Sequence, residues 1–164
     1  MEYMFEYAGA NASSWSVGNL GKWGTKTKNV KNMRAMFKDA GHFSTNFNTG
    51  NLGSWDVSSV GSSIGTDIAG TAVNRVYKGD MLRMFSWSGS AIEEKGGTWY
   101  VGDINKWNTS KVPNMRHMFF HAGVTQNIDL SGWNVSSITS ADNCAHFTQS
   151  SLAAEHITSP NFGY

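Results

Sequence analysis

The sequence predicts a repeat solenoid, each unit carrying one short strand and one short helix. Three observations carry that prediction. A Met-x-x-Met-Phe block recurs at Met1–Phe5, Met33–Phe37, Met81–Phe85 and Met115–Phe119, with a decayed copy at Asn143–Phe147. A second block, Leu or Ile followed three residues on by Trp, recurs at Leu20–Trp23, Leu52–Trp55, Ile104–Trp107 and Leu130–Trp133. The two alternate with a basic period of about 26–32 residues, and self-similarity at a fixed period marks units that bury their apolar face against their neighbours.

The Met-x-x-Met-Phe block reads as the helix. Asn32, Asp80 and Asn114 stand just before it, residue types whose side chains cap helix N-termini. Gly41, Gly89 and Gly123 follow, with Gly9 in the same place after Met1, and glycine commonly ends a helix in the left-handed conformation. Between cap and stop the apolar residues fall at i, i+3 and i+4, one helical face. A helix of about two turns depends on tertiary packing.

The Trp block, preceded by Asn19, Asn51, Asp103 or Asp129, reads as a short strand and a turn. Trp23, Trp55, Trp107 and Trp133 are then expected in one interior column, and Phe5, Phe37, Phe85 and Phe119 in another. The chain is one repeat domain over residues 1–164, of about four to five units, with insertions near 61–79 and 90–101. Its first block lacks cap and strand, which favours a fragment of a longer chain. Gly96-Gly97, between an acidic and an aromatic pair, predicts a hairpin-like turn.

The combined pattern W-[DN]-[TV]-S-x-V-x-N-M-x-x-M-F, best matched by Trp107 to Phe119, resembles the BspA-like surface-protein repeats, the DUF285 family, an offshoot of leucine-rich repeats. The resemblance covers nearly the whole chain. It implies a leucine-rich-repeat-like fold and a noncatalytic module displayed on a cell surface or secreted, often linked to adhesion. The family also occurs in phage and viral proteins, so a virion is the alternative location. The irregular repeat length and the insertion near 61–79 depart from the family pattern.

Composition narrows the function classes. Net charge is +1, and eight Met and seven Trp supply apolar bulk for a core. With one cysteine, Cys144, no intrachain disulfide forms. No apolar run approaches the roughly 20 residues of a membrane span. Lys22, Lys26, Lys28, Lys31, Arg34 and Lys38 form a basic cluster, but no nucleic-acid-binding motif accompanies it, and a solvated face explains it more simply.

No catalytic signature emerges. His117 and His121 have the spacing of two metal ligands on a helix. Repeat packing accounts for His117, and likewise for His146, which takes the place of a repeat Met; no Glu completes a metalloprotease helix. Cys144 occupies a repeat core position, and Glu93-Glu94 read as a solvated turn. No catalytic residue, metal or cofactor is assigned.

Two function classes stand. The first is a surface-displayed binding or adhesion module recognising a glycan or protein. The alternative is a structural subunit of a filament, fibre or virion that packs on copies of itself. Because the repeat spends its side chains on the core, binding is expected in the insertions, on an aromatic patch of Tyr77, Trp87, Trp99 and Tyr100 with Arg75, Glu93 and Glu94 at its rim. Exposed Trp and Tyr are favoured anchors for partners.

Overall fold

The structure is a computed structural model that describes residues 1–66, 76–78 and 80–164, with only the backbone described at 63–66, 76–78 and 151. The leucine-rich-repeat-like solenoid of one strand and one helix per unit is not what forms. Among the described residues regular structure is sparse. Strands β1 (Trp15–Ser16), β2 (Asn46–Asn48) and β5 (Thr98–Tyr100) make a three-stranded parallel sheet in the order β1-β2-β5. Strands β3 (Ser63–Thr66) and β4 (Val76–Lys78) pair antiparallel, and β6 (Ile128–Asp129) pairs parallel with β7 (Ile157–Thr158). The α-helices are short, α1 (Ile92–Lys95) and α2 (Ser151–His156), and 3-10 turns cover Leu20–Asn29, Leu52–Ser54 and Ala141–Asn143.

The helix expected over each Met-x-x-Met-Phe block fails for a backbone reason. Ala35 and Asp39 sit at φ +49° and +56°, Arg83 and Trp87 at +57° and +60°, His117 and His121 at +57° and +52°. A left-handed residue every fourth position is incompatible with a right-handed helix. The blocks form consecutive turns instead, and their amides alternate in direction. The Met36, Lys38 and Ala40 N–H groups donate three residues back, to Met33, Ala35 and Phe37. The Met33, Ala35, Phe37 and Asp39 N–H groups donate outward to the Asp80, Leu82, Met84 and Ser86 carbonyls of the next block. Residues 81–87 repeat this toward 114–120, and Tyr3, Phe5 and Tyr7 toward residues 34–38. Every second backbone donor thus finds its partner in the neighbouring block, which meets the requirement that buried amides be paired.

The Asn and Asp residues read as helix caps close short turns. Asn32, Asp80 and Asn114 accept from the N–H two residues on, at Arg34, Leu82 and Arg116. Asn19, Asn51, Asp103 and Asp129 do the same for Gly21, Gly53, Asn105 and Ser131. These are Asx turns, which the short polar side chain forms readily. Asn32 Oδ1 also accepts from Asp80 N–H at 3.2 Å, and Asn51 Oδ1 from Asp103 N–H at 3.1 Å, so a turn in one block is tied to the next.

Side chains pack in three ring columns. Trp23, Trp55, Trp107 and Trp133 stack with centroids 5.6, 6.4 and 6.0 Å apart. The indole N–H groups of Trp55, Trp107 and Trp133 donate to the carbonyls of Leu20, Leu52 and Ile104. Phe5, Phe37, Phe85 and Phe119 stack at 5.3–5.4 Å, and Phe147 meets Phe119 edge-on. The third column, Trp15–Phe47–Trp99, follows the parallel sheet. Offset and edge-on aromatic pairs each add about 0.5–1.5 kcal/mol beyond area burial.

The insertions become structure of their own. The 61–79 insertion contains β3 and β4, with Gly65 opposite Tyr77; Arg75 lies outside the described residues. The 90–101 insertion forms α1 and β5, and Gly96-Gly97 joins helix to strand instead of turning a hairpin.

Candidate functional site

One face of the molecule is built from the outward positions of the turn blocks. The inward residues Met33, Met36, Phe37, Met81, Met84, Phe85, Met115, Met118 and Phe119 are fully buried. The left-handed residues between them differ from block to block: Tyr3 and Tyr7, Ala35 and Asp39, Arg83 and Trp87, His117 and His121, of which Ala35 is itself buried. Glycine adopts positive φ without steric cost, and Asn and Asp with little; bulky residues do so at a cost of roughly 1–2 kcal/mol each. Asp39, His117 and His121 are of the types found there most readily, whereas Tyr3, Tyr7, Arg83 and Trp87 are large side chains kept against a backbone penalty.

Ring contacts run along this face. Phe43 lies edge-on to His42 at 4.6 Å, His42 stacks on Trp87 at 5.5 Å, and Trp87 stacks on His121 at 4.2 Å. His121 meets Phe120 at 4.4 Å, Phe120 meets His117 at 4.8 Å, and His117 meets His146 at 5.2 Å. The decayed block is displaced by one residue relative to the sequence alignment, because His117 N–H donates to Ala145 and Phe119 N–H to Phe147. His146, expected in a core Met place, therefore stands outward beside His117.

Charge is distributed in compact pairs. Lys38 Nζ contacts Glu6 Oε1 at 3.1 Å, Asp39 Oδ2 at 2.8 Å and the Tyr7 hydroxyl at 3.0 Å, and lies 4.4 Å from the Tyr7 ring centroid. Burial works against its charge, but the bonds to Asp39, Tyr7 and Glu6 outweigh it and raise the Lys38 pKa above the ordinary lysine value. Asp39 Oδ1 also meets His42 Nδ1 at 3.2 Å. Arg34 grips Asp80 through two bonds, so Arg34 and Lys38 are committed to ion pairs within the basic cluster. Burial lowers the His117 pKa, and the charges of Arg116, Arg83 and His146 lower it further.

Two clefts open here. One, of about 690 Å³, lies between Tyr7 and Phe43 over Asn11, Asp39 and His42. The other, of about 400 Å³, lies between Trp87 and α1 and is bordered by Glu93, Glu94 and Lys95. His42 and Phe43 line both.

The predicted aromatic patch does not assemble as expected. Trp87 and the Glu93-Glu94 pair do share a cleft. Trp99 is 1% exposed, stacked on Phe47 and bonded through its indole N–H to Ser88 Oγ, so it belongs to the core. Tyr100 is exposed on the opposite side of β5, where the burial pattern alternates. Tyr77 is placed only by its backbone in β4. Sequence reasoning missed Tyr7, Asp39, His42 and Phe43 and read Lys38 as part of a solvated basic face, because Tyr7 belongs to a separate block that only the bonds of Tyr7 N–H to Lys38 O and Phe43 N–H to Ala10 O bring alongside. Burial raises the Cys144 thiol pKa, the opposite of what activates a nucleophile. Among the described residues no group of three or more His, Cys, Asp or Glu could hold a metal ion, and no helix is long and apolar enough to cross a membrane.

The recurring turns and their Trp and Phe columns span the same residues that a family model matches, 1–158, described as a Mycoplasma protein of unknown function, DUF285. The chain belongs to the DUF285 family. No curated protein and no solved structure matches it. This DUF285 chain therefore takes its functional reading from its own geometry.

Proposed function

We propose that this DUF285 chain is a noncatalytic binding or adhesion module, displayed on a cell surface or secreted, that recognises a glycan or protein. The observation that supports it is the outward face. Framework demands are met by the inward Met and Phe residues, yet the left-handed positions carry Tyr, Trp, Arg and His where glycine would be cheaper. Side chains kept at a local conformational cost are a reason to look for function at that place. Aromatic and Arg side chains are also those that dominate binding energy at interfaces.

The test is binding of the fluorescently labelled chain to cultured mammalian cells, read by flow cytometry. Saturable binding is expected, and Trp87→Gly is expected to weaken it at least tenfold. Glycine suits the φ of +60° at that position, so the variant keeps its backbone. Absence of saturable binding, or binding indifferent to Trp87→Gly, would overturn the reading.

A further inference from the structure

The cleft between Tyr7 and Phe43 has a composition that selects among ligand classes. Tyr7 is 59% exposed and Phe43 53%. Single exposed apolar residues are ordinary on a surface, but these two line one cleft whose volume suits a small ligand. Both residues are fixed by backbone bonds, Tyr7 N–H to Lys38 O and Phe43 N–H to Ala10 O, each at 2.9 Å. Phe43 has a T-shaped contact with His42 and no stacked ring partner among the described residues. Lys38 Nζ lies over the Tyr7 ring at 4.4 Å and bonds its hydroxyl, holding that ring in place.

The lining also holds polar groups. Asp39 presents a carboxylate paired with the Lys38 ammonium and lying 3.2 Å from His42 Nδ1. The Asn11 side chain is exposed at the cleft and makes no intrachain hydrogen bond among the described residues. Carboxylate, amide and imidazole together supply acceptors and donors for vicinal hydroxyl groups. The two carboxylates of Glu6 and Asp39 share one ammonium, that of Lys38, so the group keeps a net negative charge and disfavours an anionic polymer. A protein hot spot calls for a desolvated, well-packed apolar pocket; two exposed rings lining one cleft with a carboxylate, an amide and an imidazole fit a ligand with apolar faces and a hydroxylated edge.

We infer that this cleft binds a neutral pyranose unit of an oligosaccharide, with its C–H face against Phe43 or Tyr7 and its hydroxyls on Asp39, Asn11 and His42. The inference rests on the binding-module reading above and gives it a ligand class and a site.

The test uses the chain, biotinylated and displayed on streptavidin so that multivalency makes weak binding visible, on an array of neutral and sialylated oligosaccharides. Calorimetry follows with the strongest neutral binder. Phe43→Ala and Asp39→Asn are each expected to weaken that binding tenfold or more. Tyr100→Ala, an exposed ring elsewhere, is expected to leave it unchanged, and melting temperatures identify any variant that loses the fold. Tyr7→Gly is the second ring variant, since glycine accepts the φ of +58° there. The inference is overturned by an array bound only at sialylated glycans, or by neutral binding indifferent to Phe43→Ala, Asp39→Asn and Tyr7→Gly. If cells bind the chain in a Trp87-dependent manner after periodate oxidation of their glycans while the array stays blank, the saccharide inference falls and the binding-module reading stands. If both assays stay blank, both fall.

Discussion

Truncating one Trp in the middle of its column should cost far more than truncating the one at its end. Trp107 is 4% exposed, stacked between Trp55 at 6.4 Å and Trp133 at 6.0 Å, and its indole N–H donates to Leu52 O at 3.0 Å. Trp107→Ala removes a buried ring with neighbours on both faces, a change worth about 3–5 kcal/mol. It also removes one of two donors to the Leu52 carbonyl, which keeps the Trp55 N–H, so this adds at most about 1 kcal/mol. Trp23 is only partly buried and has one ring neighbour, Trp55 at 5.6 Å. Burying a large side chain fully is worth about 1.5–3 kcal/mol, so Trp23→Ala should cost roughly 1–2 kcal/mol. Urea unfolding followed by far-UV circular dichroism measures both, with Trp107→Phe retaining most of the burial but losing the hydrogen bond. Against a total stability of about 5–15 kcal/mol, Trp107→Ala should shift the midpoint strongly or unfold the chain. Equal losses for Trp107→Ala and Trp23→Ala, or a loss below about 1.5 kcal/mol at Trp107, would refute the idea that the column is a continuous buried stack.

Further outcomes follow from the same geometry. Gly53→Ala should destabilise by about 1–3 kcal/mol, because the added Cβ would lie 2.0 Å from the Asp103 carbonyl, whereas Gly132→Ala meets nothing within 4 Å and should be near neutral in the same unfolding assay. Asn51→Ala should cost about 1–2 kcal/mol, since its side chain satisfies both Gly53 N–H and Asp103 N–H. The His117 pKa is lowered in the folded state, so the unfolded chain takes up the proton first as pH falls. Stability from this group is present above the ordinary histidine value, near 6.5, and is lost as pH falls through the lower folded value. His117→Gln should therefore reduce the drop in melting temperature between pH 7.5 and pH 5.

The Trp23 and Phe5 columns were legible because their cause is spacing alone, whereas the Trp15–Phe47–Trp99 column was not read. Trp at a constant offset from Leu or Ile, and Phe at a constant offset from Met, place like residues side by side whatever local backbone joins them. The backbone itself was not legible. Met33, Met36 and Phe37 at i, i+3 and i+4 suit a helical face, but they equally suit a run of turns in which Ala35 and Asp39 reverse their φ. Asn32 misled for a related reason: its side chain accepts from a nearby N–H in both a capped helix and an Asx turn. The misplaced Trp99 carried a usable signal. Successive residues of a strand point to opposite faces, so Trp99 and Tyr100 could not share one patch if residues 98–100 were extended, as they are. The face with Tyr7, Phe43 and Trp87 had no comparable signal, because its residues are gathered from blocks roughly 30–50 positions apart by the amide ladder.

That ladder also explains why the framework and the face can vary separately. Each block sends half of its turn amides to the next block and uses the other half internally. Neither set depends on which side chain stands outward. Replacing Tyr7, Trp87 or His121 changes the rings and charges on the surface while leaving backbone donors, inward Met and Phe residues and Asx turns as they are. The constraint that remains is the positive φ, which favours glycine at each of these positions. Glycine there would relieve backbone strain but would cost unfolded-chain entropy and the contacts that Tyr7, Trp87 and His121 make. The presence of Tyr, Trp, Arg and His at these positions, against a local backbone cost, is the observation on which the proposed binding role rests.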